Sequence, residues 1–481
     1  MTEMAIGAAV RWLADRDPHR PAITHEGRTV SRAELERRTN RLARAYAELG
    51  VGQDDLVTVA LPNSIEAYEA YLAIWKCGAT PQPVSARLPA RERDAIVELA
   101  DPPLVVGVEP GAHGRRVCVP AGFEPDPALS DEPLPDRIAS SLKAPTSGGS
   151  TGRPKLIVAG QPAVVDPERA RGFGARPDGT QLVPGPLYHN APFVFSTMAL
   201  LTGNHLVVMS RFDAALALEL IERHRVDWTL LVPTMMHRIW RLPEAERLGR
   251  DVSSLNGVLH LGAPCPPWLK EAWIDWLGPE TVWELYAGTE AQGVTVISGE
   301  EWLTHRGSVG RPAEGTFEIR DLDGTPLPPG EVGEVWMHVP PDRPATYRYV
   351  GAEPTRAGEW ESLGDLGSMD DDGYLYLSDR LADMILSGGA NVYPAEVEAA
   401  LDEHPAVASC AVIGLPDDDL GNRVHAVVHL RHPVDDAELR AHLAERLAAH
   451  KLPRSFERVD GPVRDDAGKV RRSALRDDRA R

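Results

Sequence analysis

Ser31 and Glu34 stand three residues apart, and Leu35, Leu42, Tyr46 and Leu49 follow at helical intervals until Gly50 ends the run. A hydroxyl residue followed by an acid at that spacing can satisfy the free N–H groups of a first helical turn, so the pattern predicts an amphipathic helix. The apolar run Leu56 to Leu61 is too short for a helix and rich in β-formers; it predicts a strand, and Ser64 to Cys77 then predicts a helix closed by Gly78. The alternation recurs. Strand-like runs at Leu206 to Met209, Trp228 to Val232 and Val258 to Leu261 are separated by helical patterns such as Phe212 to His224. Such alternation implies an α/β fold with wound layers, because each helix must cover a sheet face with its apolar stripe. From Gly307 to about Tyr376, short strands punctuated by Gly, Pro and Asp predict a small β-rich subdomain. Beyond Arg380 the texture changes again. Pro394 opens a short helix, Val407 to Ile413 and Val424 to Leu430 read as strands, and Leu439, Leu443 and Leu447 form an apolar stripe. These elements make an α+β module of about a hundred residues, a common domain size. The expected division is residues 1–379, a hinge at 380–382 that includes Ala382, and a C-terminal domain of residues 383–481.

Bulk properties narrow the partners. At 481 residues, the chain exceeds one ordinary core, in keeping with the two-domain reading. A formal net charge of -20 opposes nucleic acid and anionic membrane surfaces, while still permitting a local basic pocket for a small anion. The four cysteines, Cys77, Cys118, Cys265 and Cys410, lie far apart without zinc or disulfide spacing, which fits a reducing cytoplasm. No apolar run approaches membrane-spanning length, and residues 1–20 lack the pattern of a secretory leader.

The segment richest in chemistry is Thr146-Ser147-Gly148-Gly149-Ser150-Thr151-Gly152-Arg153-Pro154-Lys155. Glycines allow backbone N–H groups to turn toward phosphate oxygens, hydroxyls add donors, and Lys155 adds charge. It is not a Walker-type loop, because no Gly-Lys-Ser/Thr is present and Pro154 forbids the helix start which that motif needs. Downstream, in order, stand Leu187-Tyr188-His189-Asn190, Gly262-Ala263-Pro264, Tyr286-Ala287-Gly288-Thr289-Glu290, Gly307-Ser308-Val309-Gly310-Arg311-Pro312, Gly364-Asp365-Leu366-Gly367, Ser378-Asp379-Arg380, Ser387-Gly388-Gly389 and Gly468-Lys469-Val470.

Taken together, these segments resemble the adenylate-forming superfamily of acyl-CoA synthetases, peptide-synthetase adenylation domains and luciferases, over essentially the whole chain. The resemblance implies ATP-dependent conversion of a carboxylic acid to acyl-AMP with pyrophosphate release, followed by transfer to coenzyme A. ATP, Mg²⁺ and coenzyme A are the implied cofactors. Joining two anions calls for positioning and charge neutralisation rather than a protein nucleophile. By resemblance, Glu290 holds Mg²⁺, Thr289 touches the α-phosphate, Tyr286 stacks on adenine, and Asp365 and Arg380 serve the ribose; Gly262, Ala263 and Pro264 complete the nucleotide site. Lys469 matches a mobile catalytic lysine; the rival reading makes it part of a basic tail with Arg471 and Arg472. Ser387, Gly388 and Gly389 match a loop lining the thiol's path after the small domain swings, or else form only a hairpin turn. The sequence departs from the family pattern at Gly148, commonly a hydroxyl residue, at Ala382, commonly charged, and at Asp465-Asp466-Ala467 before Gly468.

The acyl pocket implied by the resemblance draws on Tyr188, Asn190, Phe193, Thr234, Met235 and Gly288, with His189 beside the carboxylate as an orienting or gating group, or as a packed core histidine. Pro192, Phe193, Met235 and Met236 make an apolar wall suited to a hydrophobic acid. No Asp or Lys in those segments is placed to pair with an α-amino group. The wording of Ser147 to Ile157 and Leu187 to Phe193 is similar to bacterial ligases for bulky polycyclic or steroid-like acids. A carrier protein or another nucleophile is the alternative acceptor.

Overall fold

Local signals take hold where the pattern places them. In the computed structural model, which describes residues 3–148, 154–169, 172–342, 344–417, 419–465 and 468–479, the helix Arg32–Glu48 opens on a complete capping box. The Glu34 N–H donates to Ser31 Oγ at 3.3 Å, and the Ser31 N–H donates to the Glu34 carboxylate at 2.7 Å. Leu35, Leu42 and Tyr46 are buried against the helix Ile65–Lys76, whose own cap is Ser64. The helix expected from Phe212 begins at Ala214 instead, because the Asp213 side chain accepts from the Leu216 N–H at 2.9 Å and stops the helix there.

The central sheet has nine strands, six of them parallel in the order Pro21–His25, His205–Val208, Thr180–Val183, Trp228–Leu231, Gly257–His260 and Val282–Ala287. Antiparallel strands close both edges, Arg28–Ser31 on one side and Val294–Ser298 with Arg311–Glu314 on the other. A second, four-stranded sheet is entirely parallel, running Thr80–Pro83, Leu56–Val59, Leu104–Val106 and Val117–Val119. Their apolar runs are buried, as parallel strands covered by helices require.

The stretch from Gly307 to Tyr376 is β-rich as expected, yet it is shared among three sheets. Arg311–Glu314 joins the edge of the central sheet, while Phe317–Arg320, Gly333–His338, Thr355–Ala357, Trp360–Met369 and Leu375–Arg380 form an antiparallel sheet of their own. Tyr347–Val350 leaves both and pairs with Pro154–Ala159. Strand pairing across such distances is set by topology, which local turn signals do not encode.

The last strand of the antiparallel sheet ends at Arg380, and the first of the C-terminal module begins at Ile385. Between them the Leu381 N–H donates to the Gly364 carbonyl, and the Asp383 N–H to that of Arg380. The C-terminal module packs the helices Pro394–Asp402 and Asp436–Ala444 on a sheet built around the hairpin Val407–Asp417 and Gly421–Leu430. Leu439 and Leu443 are fully buried there; Leu447 lies beyond the helix end yet still packs on the same core.

Candidate active site

Chain segments leaving the carboxyl ends of parallel strands carry the sequence-predicted residues, at the end of the sheet where the winding of an open α/β fold forms its crevice. Gly257–His260 leads to Gly262, Ala263 and Pro264; Val282–Ala287 includes Tyr286 and leads to Gly288, Thr289 and Glu290; Trp228–Leu231 leads to Thr234; Thr180–Val183 leads to Tyr188, His189 and Asn190. The phosphate-loop segment joins two antiparallel strands, with Ser147 opposite Lys155. Pro154 starts a strand, consistent with its exclusion of a helix. Gly149, Ser150, Thr151 and Gly152 lie outside the described residues, and Gly148 ends the first strand.

Glu290 is 6% exposed, and its carboxylate is held rather than solvated. The Tyr349 hydroxyl donates to it at 2.5 Å, and Lys155 Nζ stands 3.6 Å away while also lying 3.8 Å over the Tyr349 ring. Burial lowers the Lys155 amine, against the pull of Glu290. The buried Glu290 carboxylate is a hard oxygen donor of the kind that Mg²⁺ takes beside phosphate and water oxygens, so the residue present fits that ion. Elsewhere in the site, the Tyr286 hydroxyl donates to Asp365 at 2.7 Å, and Arg380 Nε meets the other carboxylate oxygen at 3.1 Å. Burial, together with the Asp365 charge, pushes the Tyr286 phenol well up, so it remains a donor.

Lys469 enters this cleft from the C-terminal module. Its backbone N–H donates to Asp465 at 2.9 Å; the side chain keeps an exposed face, yet the protein packed around it lowers its ammonium, with Asp465 opposing and Arg380 adding to the shift. Arg464 and Arg472, on either side, both grip the buried Glu398 carboxylate, at 2.5 and 2.8 Å, and Arg472 also pairs with Asp383 at 3.0 Å. These arginines fasten the lysine's segment to the helix Pro394–Asp402. Gly468 has φ +76, and a Cβ there would stand 2.5 Å from Thr234 Oγ1, so only glycine permits this approach between domains. His189 senses the lysine. Burial and then the Lys469 charge push its imidazole down to about 3, leaving a neutral ring whose buried Nε2 has no partner among the described residues.

The apolar wall is partly reassigned. Phe193 is 1% exposed and packs edge-on against Tyr71 at 4.9 Å and beside Trp75 at 5.8 Å, which places it in the core. Met235 and Met236 are likewise buried in a cluster with Ile239, Leu269 and Trp273. Gly288 sits beneath Leu363 and the Glu290 carboxylate, and the Tyr188 ring lies 4.4 Å from that of His189. Ser387, Gly388 and Gly389 form the turn of the hairpin Ile385–Ser387 and Ala390–Val392, and the Gly388 N–H donates to Leu420 of the same module. Ala382 stands in the short connection, its carbonyl accepting from Arg476. Lys143 and Tyr349 were not singled out from sequence. Neither belongs to a motif, although Lys143 stands only three residues before Thr146.

The AMP-binding enzyme model matches residues 10–341, and the AMP-binding enzyme C-terminal domain model matches residues 396–469. Feruloyl-CoA synthase of an Amycolatopsis species is 35% identical over 99% of each chain. Fatty acid–[acyl-carrier-protein] ligase ScoC of Streptomyces coeruleorubidus is 30% identical over 96% of this chain and 94% of its own. The o-succinylbenzoate CoA synthetase MenE of Bacillus subtilis, solved with its acyl-adenylate intermediate OSB-AMP, matches with a TM-score of 0.83 at 27% identity, over 99% of this chain and 98% of that one; it has also been solved with ATP and magnesium ion. With both domains matched and the cleft built from both, this chain belongs to the AMP-binding enzyme family.

Proposed function

We propose that this protein is an AMP-forming acyl-CoA ligase for a hydrophobic carboxylic acid. The observation that carries the reading is that Lys469 of one module lies near enough to His189 and Glu290 of the other for their charges to act on one another. A substrate carboxylate oxygen attacks the α-phosphorus of ATP, the bond to the β-phosphate breaks, and pyrophosphate leaves. Glu290 is the carboxylate that would hold Mg²⁺ with ATP, and the bound ion would supply neutralisation of phosphate charge. Lys155, 3.6 Å from the Glu290 carboxylate, would add positive charge to the same phosphates. The Lys469 ammonium bridges the two anions as charge builds between them, and its flexible stem allows it to withdraw afterwards. His189, kept neutral, can orient the carboxylate without repelling Lys469. The thiol of coenzyme A then attacks the acyl carbonyl, giving up its proton, and the bond to AMP breaks. The turn at Ser387 to Gly389 is the candidate wall of the thiol's path once the small domain has rotated.

The relatives support a CoA acceptor, and ScoC supports a carrier protein as the second reading. The acid is taken to be bulky and mainly apolar in keeping with relatives named for feruloyl-CoA and long-chain fatty acids, and the lack of an Asp or Lys in the pocket-forming segments argues against an α-amino acid. Buried apolar surface contributes roughly 25 cal/mol per Å², so added rings can outweigh the carboxylate contact common to all acids. The test is acid-dependent pyrophosphate release and thioester formation across acetate, a medium-chain acid, an aryl acid, a steroid-like acid and amino acids, with CoA or carrier proteins as acceptor. Strongest turnover with acetate or an amino acid defeats the apolar acid. Transfer to a carrier and not to CoA replaces the ligase by the second reading.

A further inference from the structure

Lys143 belongs to no family motif quoted above, yet its side chain is largely buried beside the cleft. Its backbone is fixed, since its carbonyl accepts from the Ala159 N–H at 2.9 Å on the strand that follows the phosphate loop. Its ammonium donates to the Asn190 side-chain oxygen and reaches the Thr289 carbonyl at 3.5 Å. One cation thus spans the segment carrying His189 and the segment carrying Thr289 and Glu290.

That second segment needs holding. Ala291, the residue after Glu290, has φ +56, a left-handed conformation that a residue with a Cβ adopts only when its surroundings impose it. The Ala291 N–H closes the turn on the Gly288 carbonyl at 3.2 Å. The two intervening carbonyls are each taken by a side chain from elsewhere: that of Thr289 by Lys143, and that of Glu290 by the Thr346 hydroxyl at 2.8 Å. An apolar side chain at 143 would avoid the cost of desolvating an ammonium but would leave the Thr289 carbonyl and the Asn190 oxygen without this donor. Burial pushes the Lys143 amine down to about 8, with the Glu290 charge opposing, so it is mainly charged at neutral pH.

We propose that Lys143 is a positioning residue for adenylation: its ammonium ties the Thr289–Glu290 turn to Asn190 and so aligns the phosphate and metal contacts with His189. The assignment rests on the acyl-adenylate reading given above. The experiment measures acid-dependent pyrophosphate release, thioester formation from synthetic acyl-adenylate, and thermal melting for the full-length wild type, Lys143→Met and Lys143→Arg. A displacement of about 1 Å at a reacting centre costs roughly a hundredfold. Lys143→Met should therefore lose adenylation kcat on that scale with KM for the acid little changed, while keeping the thioester step. Lys143→Arg, which retains a donor cation, should recover most of the rate. Should Lys143→Met fail to fold, Asn190→Ala releases one end of the span and carries the same signature at smaller amplitude. Wild-type adenylation in a folded Lys143→Met or Asn190→Ala overturns the assignment. So does equal loss of both half-reactions, or a Lys143→Arg no better than Lys143→Met. Failure of the wild type to release pyrophosphate with any acid removes the functional reading and this role with it, whereas an active wild type with an indifferent Lys143→Met removes this role alone.

Discussion

Lys469 illustrates how much one side chain depends on what holds it. Its place in the cleft rests on Gly468 fitting against Thr234 and on two arginines binding Glu398. Lys469→Ala should lower adenylation by roughly 10²–10³-fold, the scale for removing one charge-stabilising donor, while sparing thioester formation from synthetic acyl-adenylate. Equal loss of both half-reactions in a folded variant would show that the lysine does not leave between steps. His189 gives a second outcome at this scale. With its imidazole at about 3, it is neutral from pH 5 to 8, so replacing it by Gln should leave any inflection of kcat/KM near pH 6.5 unchanged. Disappearance of such an inflection in His189→Gln would mean that the ring titrates during turnover.

At the scale of elements, the helix Pro394–Asp402 meets the large domain through Arg241, just past the helix Pro233–Trp240. Arg241 donates to the carbonyls of Asp402 at 2.8 Å and His404 at 3.3 Å, and also to that of Val407. The guanidinium thus caps the negative end of a helix across the domain boundary. Each bond contributes about 1 kcal/mol, enough together to bias two domain orientations. Arg241→Ala should slow adenylation, leave thioester formation from acyl-adenylate intact, and speed tryptic cleavage near residues 380–382; unchanged adenylation and cleavage would remove Arg241 from the domain balance. The opposite element is the turn at Gly388 and Gly389, with φ +56 and +80. A Cβ at Gly389 meets nothing within 4 Å, so the hairpin has room for a large side chain at the expense of local strain. Gly389→Trp should block thioester formation while pyrophosphate release persists, and undiminished acyl-CoA production would leave the turn a turn only.

For the whole molecule, buried neutral histidines make stability depend on pH. Burial pushes His189 and His237 down to about 3 and His205 down to about 4. Between those values and the unfolded value near 6.5, the unfolded chain binds more protons, so stability is full above about pH 6.5 and is lost as pH falls through the folded values. Each such group contributes on the order of 1–2 kcal/mol of loss by pH 5. His237 packs against Trp268 with its Nε2 buried, so His237→Gln should melt with a smaller drop between pH 7.5 and 5 than the wild type. Identical drops would show that His237 is not held neutral. Among the described residues, no helix is long and apolar enough to cross a membrane.

Much of this architecture was legible in the chain itself. The capping box at Ser31 and Glu34, the strand at Leu56 and the helix from Ser64 follow from patterns spanning a few residues, where periodicity and capping act, whereas the site segments were legible only through their resemblance to a family. The change of texture after Arg380 coincides with the end of one strand at Arg380 and the start of the next at Ile385. Contacts across the fold were not legible. Lys143 and Thr289 are 146 residues apart, and Tyr349 and Glu290 are 59 apart; only the folded path of the chain, with Tyr347–Val350 paired to Pro154–Ala159, brings them together. Phe193 reads as a pocket wall because an apolar residue near a site motif suits either a core or a ligand, and the rings of Tyr71 and Trp75 decide for the core. Sequence alone determined many of the elements, because short-range hydrogen bonding and apolar periodicity are written locally, and it pointed to the chemical groups through the family that their motifs resemble. Tertiary structure decided which side chains face the cleft and which are spent in packing, because that depends on partners brought close by the folded path of the chain.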